Sequence, residues 1–400
     1  MPDSQVTKLW DGVQGTNLEK IDISYCEVLC ELHSSIISIP ALEDLKLNYC
    51  KELRIVKGEI HSESLRKLQF RGCSSLEEFS VSSSGQLSSL DLSSSRIRSP
   101  GNELCSFTCM QYLTLVNCRE LSELPHNMKA LSRLLSLNVS GCTNLRSIPE
   151  LPSCIMHICA YNCTSLETIF SLKAALRLKW ISFMNCMRLD QESLNTLTED
   201  FLRPILKRML LMKKAAGNGG LLLYSDETQQ RFSFDACYPG SKVPGWFRCG
   251  TTEGASITVK IDKPYHQLMG FCVSCSVSQE FSPYYSIYCE YDLGDGEKYP
   301  LGTYYLNELR ERWNTDHVCL WFHPFYNSGI RRAIQRCIST WNRIISFTFT
   351  AEGITSRQED SFIKGCGVFP IYLNKLFFSP PSYSQSLMSV AKQQSSHTKI

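Results

Sequence analysis

The sequence predicts two domains in series, an α/β solenoid of stacked repeats followed by an all-β sandwich. An apolar framework recurs every 21 to 24 residues up to about residue 190. From about residue 232 the chain changes to short alternating runs rich in β-branched and aromatic residues, which are typical of antiparallel strands. Between these regions, the segment AAGNGG has the composition of a flexible linker.

Composition narrows the class of protein. The 400 residues leave room for two or three domains, and an apolar fraction of 43% suits folded cores. The net charge is only +2, with acids and bases mixed along the chain, so we expect no nucleic-acid partner. No apolar run approaches the roughly 20 residues that span a bilayer. The N-terminal segment lacks a secretory pattern. We therefore expect no membrane association and a cytoplasmic location, with the nucleus as an open alternative.

The repeat framework has three apolar positions in each of eight units. The units begin at Leu18, Leu42, Leu65, Leu87, Met110, Leu134, Ile155 and Leu178. The second and third positions follow three and five residues later, and all 24 positions are apolar. A cysteine follows eight residues after each start, except in the fourth unit: Cys26, Cys50, Cys73, Cys118, Cys142, Cys163 and Cys186. This pattern, L-x-x-L-x-L-x-x-N/C-x-L, resembles leucine-rich repeats.

These seven turn cysteines are predicted to be buried thiols that help to satisfy backbone groups at the bend, not metal ligands or nucleophiles. A reducing compartment keeps thiols free, so we expect no disulfide framework among the 20 cysteines. The fourth unit has Ser95 in place of the cysteine, and Ile97 falls one place early. A local distortion is predicted there.

The strand residues between the framework positions face the concave side of a solenoid. They are polar in the first three units and become aromatic later, at Tyr112, His157, Tyr161 and Trp180. Aromatic side chains on a rigid exposed face often mark protein contacts. Two interpretations remain open: these side chains bind a partner, or they pack against the next domain.

The segment after the repeats is predicted to close the array. QESLNTLTEDFLRPILKRMLLMKK has helical apolar spacing and a kink at Pro204, and we expect it to cap the open end of the solenoid. A membrane-surface helix is the alternative. The predicted domains are the solenoid at 1–190, the capping helix and linker at 191–231, the β domain at 232–375, and a disordered tail at 376–400.

One segment carries a more specific resemblance, FDACYPGSKVPGWF followed by ASITVKI. It resembles the post-repeat domain of plant intracellular immune receptors of the TIR–nucleotide-binding–leucine-rich-repeat class. The matching residues of its P-G-S-x-x-P-x-W-F motif are Pro239, Gly240, Ser241, Pro244, Trp246 and Phe247. The segments FMNCMRLDQESL and KGCGVFPIY resemble the family's end of the repeats and its last strand. The resemblance covers roughly residues 1 to 375.

The resemblance implies a jelly-roll or immunoglobulin-like sandwich and a role in recognition. The repeats and β domain of this family together bind a pathogen effector or sense its action on a guarded host protein. On this basis, partner contacts are predicted at the four concave aromatic residues and at a loop of the β domain, Phe281, Tyr284 and Tyr285.

The same resemblance suggests that the chain is the C-terminal part of such a receptor. The sequence holds no G-x-x-x-x-G-K-[ST] motif, so no cofactor and no enzymatic activity are predicted. Its start, MPDSQVTKLWDGVQGTNL, looks like the interior of a repeat, with the edge of the first unit exposed. The alternative function is a truncated, non-signalling adaptor or decoy that binds a full-length receptor or an effector.

Two cysteine patterns could carry chemistry, and each has a structural interpretation. Cys272 and Cys275 form a C-x-x-C, but in a strand they face opposite sides. His317, Cys319 and His323 lie close in sequence without a recognisable orienting group or oxyanion hole. We expect neither a metal site nor a nucleophile here.

Two further groups also favour structural roles. Asp292, Asp295 and Glu297 surround a glycine turn but lack the ligand spacing of a calcium loop. Trp246 is predicted to anchor the turn of the proline-glycine motif in a core.

Overall fold

The computed structural model describes residues 17–83, 85–200, 234–245, 247, 254–261, 268–280, 286–294, 296–305, 313–324, 344–352 and 362–372. Several predictions concern residues outside these ranges: the loop at 281–285, Trp246, Asp295, the helix beyond residue 200, the linker and the tail. These predictions, and the domain boundaries, stay predictions.

The repeat region contains twelve strands, most of them only three residues long. They are β1 Lys20–Asp22, β2 Asp44–Lys46, β3 Ile55–Ile60, β4 Lys67–Gln69, β5 Glu78–Ser83, β6 Ser89–Asp91, β7 Tyr112–Thr114, β8 Ser136–Asn138, β9 Ser147–Ile148, β10 His157–Cys159, β11 Thr168–Ile169 and β12 Trp180–Ser182. One strand from each unit joins a parallel sheet in the order β1-β2-β4-β6-β7-β8-β10-β12. The second framework residues align across it, as in Ile21 opposite Leu45. The predicted repeat and its register are confirmed.

The framework side chains form one continuous core beneath this sheet. Of the 24 framework positions, 22 are buried. The exceptions lie in the first unit, where Leu18 is 41% exposed and Ile21 is half-buried. Burying one such aliphatic side chain stabilises the fold by about 1.5–3 kcal/mol, so the stacked units supply what a single unit lacks.

The turn after each strand has one conformation in all eight units. The residue before the turn cysteine has a φ between 58° and 77°, in the left-handed region: Tyr25, Tyr49, Gly72, Ser94, Asn117, Gly141, Asn162 and Asn185. Glycine and asparagine adopt this conformation most easily. At the two tyrosines, the rings stack with centroids 4.9 Å apart.

The turn cysteines are buried, and none of them forms a disulfide. From the second unit onward, each Sγ donates to the carbonyl oxygen of the third framework residue of the preceding unit. Cys50 bonds Ile23 at 3.3 Å, and Cys186 bonds Ala160 at 2.9 Å. Cys73, Cys118, Cys142 and Cys163 make the same contact at 3.0 to 3.2 Å. The predicted role in satisfying the backbone is confirmed for these six.

The distortion predicted for the fourth unit is wrong for its strand and turn. β6 pairs in register with both neighbours, and Ser94 has the same left-handed φ as its equivalents. Ser95 is buried, and its Oγ lies 3.3 Å from Cys118 Sγ. A hydroxyl therefore substitutes for the thiol because it fits the same polar position.

The α/β description of the solenoid needs correction. The side opposite the main sheet carries two small parallel ladders, β3–β5 and β9–β11, together with 3-10 helices at Asn102–Ser106 and Met128–Ala130. The one α-helix described inside the repeats, α1, spans only Ser34–Ile37. Units of 21 to 24 residues leave a short return segment, and its serines and prolines favour turns over helix.

The described residues of the C-terminal region form eight strands in two antiparallel arrangements. They are β13 Phe234–Pro239, β14 Ser256–Lys260, β15 Leu268–Val277, β16 Ser286–Asp292, β17 Lys298–Tyr305, β18 His317–Pro324, β19 Ile344–Glu352 and β20 Ile363–Tyr372. The orders are β13-β18-β15-β20 and β14-β19-β16-β17. Side chains from both meet in one cluster, where Phe271 and Phe347 pack edge to face at 4.9 Å. The jelly-roll or immunoglobulin-like assignment stays a prediction.

The repeat sheet continues directly into the C-terminal strands. β12 pairs in parallel with β13, so Ile181 lies opposite Ala236, and one twelve-stranded sheet runs through both regions. The backbone N–H of Phe183 donates to Cys237 O at 2.8 Å. The helix α2, Gln191–Asp200, packs beside β11 instead, where Ser193 Oγ accepts the N–H of Ile169. The end of the sheet is therefore covered by β13, while α2 packs on the return side of the last unit; the capping role of the whole segment stays a prediction.

The two faces of this sheet lead to different cores. Ala236 and Tyr238 belong to the same apolar cluster as the repeat framework, and Phe247 of the proline-glycine motif joins them. Cys237, from the opposite face, belongs to the cluster between the two C-terminal sheets, together with Met184 of the last repeat. The concave face of the repeats therefore ends against the second C-terminal sheet.

Candidate binding face on the repeat sheet

The strand register aligns the first residues of the sheet strands in one row across the concave face. This first row is Lys20, Asp44, Lys67, Ser89, Tyr112, Ser136, His157, Trp180 and Asp235. Three of the four predicted aromatic contacts lie in it. His157 and Trp180 are direct neighbours, and Tyr112 is separated from His157 only by Ser136. Tyr161 follows β10 and lies outside this row.

Tyr112 is the most open of the four predicted concave residues. It is 48% exposed, whereas His157, Tyr161 and Trp180 are half-buried. Its neighbours in the first row are serines, whose small side chains leave both sides of the ring accessible. A tyrosine held on a strand loses little freedom on binding, which favours it as a contact residue.

The aromatic residues near the C-terminal end face the junction. Tyr161 packs against the cluster between the two C-terminal sheets, which matches the domain-packing interpretation for this residue. Trp180 lies opposite Asp235 of β13. The structure therefore separates the predicted set into an open residue and three that line the end of the face. Their role in binding stays a prediction.

Burial shifts the ionisable groups at this end towards their neutral forms. Burial raises the pKa of Asp235 to about 7. Burial also lowers the pKa of His157, and the positive charge of Lys179 adds to this effect. A neutral imidazole beside an indole makes this end of the face weakly polar.

The opposite end of the face is strongly charged. The third unit contributes three exposed cations, Arg66, Lys67 and Arg71, on and beside β4. The sequence showed polar residues here but not their grouping. The signal was the absence of an acid in this unit's strand segment, LRKLQFR, whereas the first two units mix signs.

The cysteines and the histidine considered for metal binding or nucleophilic catalysis have structural roles. Cys272 and Cys275 belong to clusters on opposite faces of the sheet, as predicted. Burial raises the pKa of Cys319 well above the ordinary value for a thiol. His317 Nε2 accepts the backbone N–H of Asn185 at 2.9 Å, and its Nδ1 lies 2.8 Å from Thr315 O. Burial lowers the pKa of His317 to about 4, and both ring nitrogens are occupied by backbone groups, so the side chain is not placed as a general base.

Two absences hold for the described residues. There, no group of three or more histidine, cysteine or acidic side chains is arranged to hold a metal ion. In the same ranges, no helix is both long enough and apolar enough to cross a membrane.

Stacked strand-and-turn units, with a thiol at seven of the eight bends, define the chain as a leucine-rich-repeat protein. Its curated relatives include plant disease resistance proteins. Disease resistance protein RPS4 of Arabidopsis thaliana is 27% identical over 372 residues, covering 86% of this chain and 29% of the relative. Disease resistance protein RML1B of the same plant is 26% identical, covering 88% and 34%. The resemblance inferred from the sequence is confirmed as homology to this group.

The matches cover only part of each relative. The chain spans about three tenths of the length of the first curated relatives that it matches. No family model matches the chain. Among solved structures, the leucine-rich repeat domain of the type III effector XopL is 20% identical and covers 44% of this chain and 63% of its own. The TM-score of this comparison is 0.33.

Proposed function

We propose that the chain is the recognition region of an intracellular plant immune receptor. It binds a pathogen effector or a guarded host protein through the concave face of the repeats and through the β domain. The homology to disease resistance proteins supports this proposal. The proposal includes a cytoplasmic location, with the nucleus as the open alternative.

The observation that carries the proposal is the position of Tyr112. Its ring is exposed on a rigid strand, with serines on both sides, in the middle of the first row. Aromatic side chains that become buried when a partner binds contribute most of the binding energy in many protein interfaces. On one side of Tyr112 the face is charged, at the third unit, and on the other side it is weakly polar, at His157 and Trp180. The same partner can contact both surfaces.

Site-specific photo-crosslinking tests this proposal. A photoreactive amino acid replaces Tyr112 in one variant and Asn102 in another, and both are expressed in infected and uninfected leaves. Asn102 is an exposed residue of a 3-10 helix on the connecting side of the solenoid. We expect a protein adduct at position 112 that is absent at position 102, and mass spectrometry identifies it.

The captured protein is then purified and its affinity measured directly. Truncation of a central aromatic anchor costs about 2 kcal/mol or more, so Tyr112→Ala should weaken binding at least tenfold. Asn102→Ala should leave the affinity unchanged. Equal adducts at both positions, or an affinity insensitive to Tyr112→Ala, would contradict the proposal.

A further inference from the structure

The third repeat unit carries a strip of cations that lack ion pairs within the described part of the chain. Arg66, Lys67 and Arg71 are all exposed, and we call them the β4 cationic strip. Two exposed cations elsewhere show the contrast, because Lys129 is paired with Glu150 at 3.0 Å and Arg96 with Glu120 at 2.9 Å. Three like charges on a single short strand segment favour an anionic group, because none of them is engaged in an ion pair in the described ranges.

The strip is in line with the exposed tyrosine. Lys67 and Tyr112 occupy the same row of the sheet, and only Ser89 lies between them. Neighbouring strands are about 4.8 Å apart, so the two backbone positions are about 10 Å apart. The intervening serine does not obstruct a ligand that reaches across both.

We infer that the protein partner docks with a segment that carries carboxylates for the β4 cationic strip and an apolar or aromatic side chain for Tyr112, spaced about 10 Å apart. This inference rests on the proposed function and adds the chemistry of the partner's docking segment. The charged end steers the partner and fixes its direction along the face, since opposite charges attract from a distance. The tyrosine supplies the apolar contact.

The surroundings of the strip favour a protein carboxylate over a nucleic acid. Asp44 lies directly opposite Lys67 on one side, and Asp91 is on the next strand on the other side. A phosphodiester chain that crossed the strip would meet these acids on both sides. A compact acidic segment can contact the cations alone, because the strip is only one strand wide.

Asp44 does not neutralise the strip from within. Its carboxylate lies 3.7 Å from Lys46 of its own strand, and its side chain is only 16% exposed. The cations of the strip extend from the neighbouring strand into solvent. They are therefore available to a partner.

Helical peptides of defined charge test the inference on the full chain. The probe is a labelled alanine-rich helix with glutamates in its first turn and a phenylalanine seven residues later, because seven residues of helix span about 10.5 Å. Comparison peptides replace the glutamates by lysines or the phenylalanine by alanine. Fluorescence anisotropy gives each affinity at low and at physiological salt.

The strip variant is Arg66→Gln, Lys67→Gln and Arg71→Gln. The matched control is Lys51→Gln, Lys129→Gln and Lys260→Gln, three exposed lysines elsewhere with the same change in charge. We expect the acidic peptide to bind, and the strip variant to lose about tenfold in affinity at low salt, since exposed ion pairs contribute up to about 1 kcal/mol each. The control should change by less than about twofold.

A reversed variant guards against loss of folding. The variant Arg66→Glu, Lys67→Glu and Arg71→Glu should bind the lysine peptide more tightly than the acidic peptide. Its circular dichroism spectrum should match that of the wild type. Failure of the acidic peptide to bind would overturn the inference. So would equal losses in the strip and control variants.

Two further outcomes are decisive. If a single-stranded RNA of equal charge binds as tightly as the peptide and loses the same affinity in the strip variant, the site is a nucleic-acid site and the inference falls. If Tyr112→Ala lowers the affinity for a captured partner while the strip variant leaves it unchanged, the proposed binding at the concave face stands. Only the inference of an acidic docking segment then fails.

Discussion

Acidification is expected to loosen the junction between the repeats and the β domain at His317. Its Nε2 accepts the N–H of Asn185, the left-handed residue of the last repeat turn, and burial lowers the pKa of the imidazole from 6.5 to about 4. Protonation would remove the acceptor and place a charge in a buried site. The junction therefore depends on a neutral histidine.

The sign and magnitude follow from this pKa. Between pH 6.5 and 4 the unfolded chain binds more protons than the folded one, so the free energy of unfolding falls as the pH falls through that window. The change from 6.5 to about 4 corresponds to about 3 kcal/mol, or about two orders of magnitude in the opening equilibrium.

Hydrogen exchange with mass spectrometry measures this opening in peptides that contain Asn185. After correction for intrinsic exchange, we expect its protection to fall by about a hundredfold between neutral pH and pH 4. His317→Gln keeps an acceptor oxygen without a titrating group, so its protection should not fall between neutral pH and pH 4; protonation of Asp235, whose pKa is about 7, acts in the opposite direction. His323→Gln is the matched control at the other end of β18, and it should retain the wild-type pH dependence. Protection that is independent of pH in the wild type would refute the reasoning.

Three other predictions concern stability and are measured by urea unfolding. Gly72→Ala should destabilise by about 2 kcal/mol, because φ is +77° and the added Cβ would collide with the Tyr49 ring. Wild-type stability after this change would contradict the turn geometry. Cys142→Ala should cost about 2 kcal/mol through a lost buried sulfur contact, whereas Cys30→Ala, at an exposed thiol, should be neutral. Asp235→Asn should stabilise by more than about 1 kcal/mol above pH 7 and have little effect below pH 4, because the folded carboxyl has a pKa of about 7 and its ionisation destabilises the fold. A gain that is equal at both pH values would argue against a shifted carboxyl.

The repeat region could be predicted from the sequence because each of its contacts recurs. A framework position such as Leu137 meets its equivalents, Leu113 and Ile158, in the adjacent units, so periodicity alone assigns its neighbours. The left-handed turns also left a signal, as at Gly141 and Asn162 before the turn cysteines. Tyr25, Tyr49 and Ser94 obscured that signal because their residue types rarely adopt the conformation.

The junction could not be predicted in the same way. β12 and β13 are separated by more than fifty residues in sequence, and no local pattern indicates a parallel pairing at that distance. The division of the concave aromatic residues follows from this pairing. Tyr161 packs against the C-terminal cluster only because β13 brings that cluster to the end of the sheet, whereas Tyr112 lies four strands from it.

The strand β13 belongs to both parts of the molecule, and this has a consequence for taking them apart. In a fragment that ends after α2, the strand β12 would become an unpaired sheet edge. In a fragment that begins at residue 234, the strand β13 would still pair with β18 but would expose its other edge. Unpaired edges recruit other strands, so both fragments should aggregate more readily than the intact chain. Proteolysis between the two parts would leave the shared strand in place, and the nicked halves should remain associated.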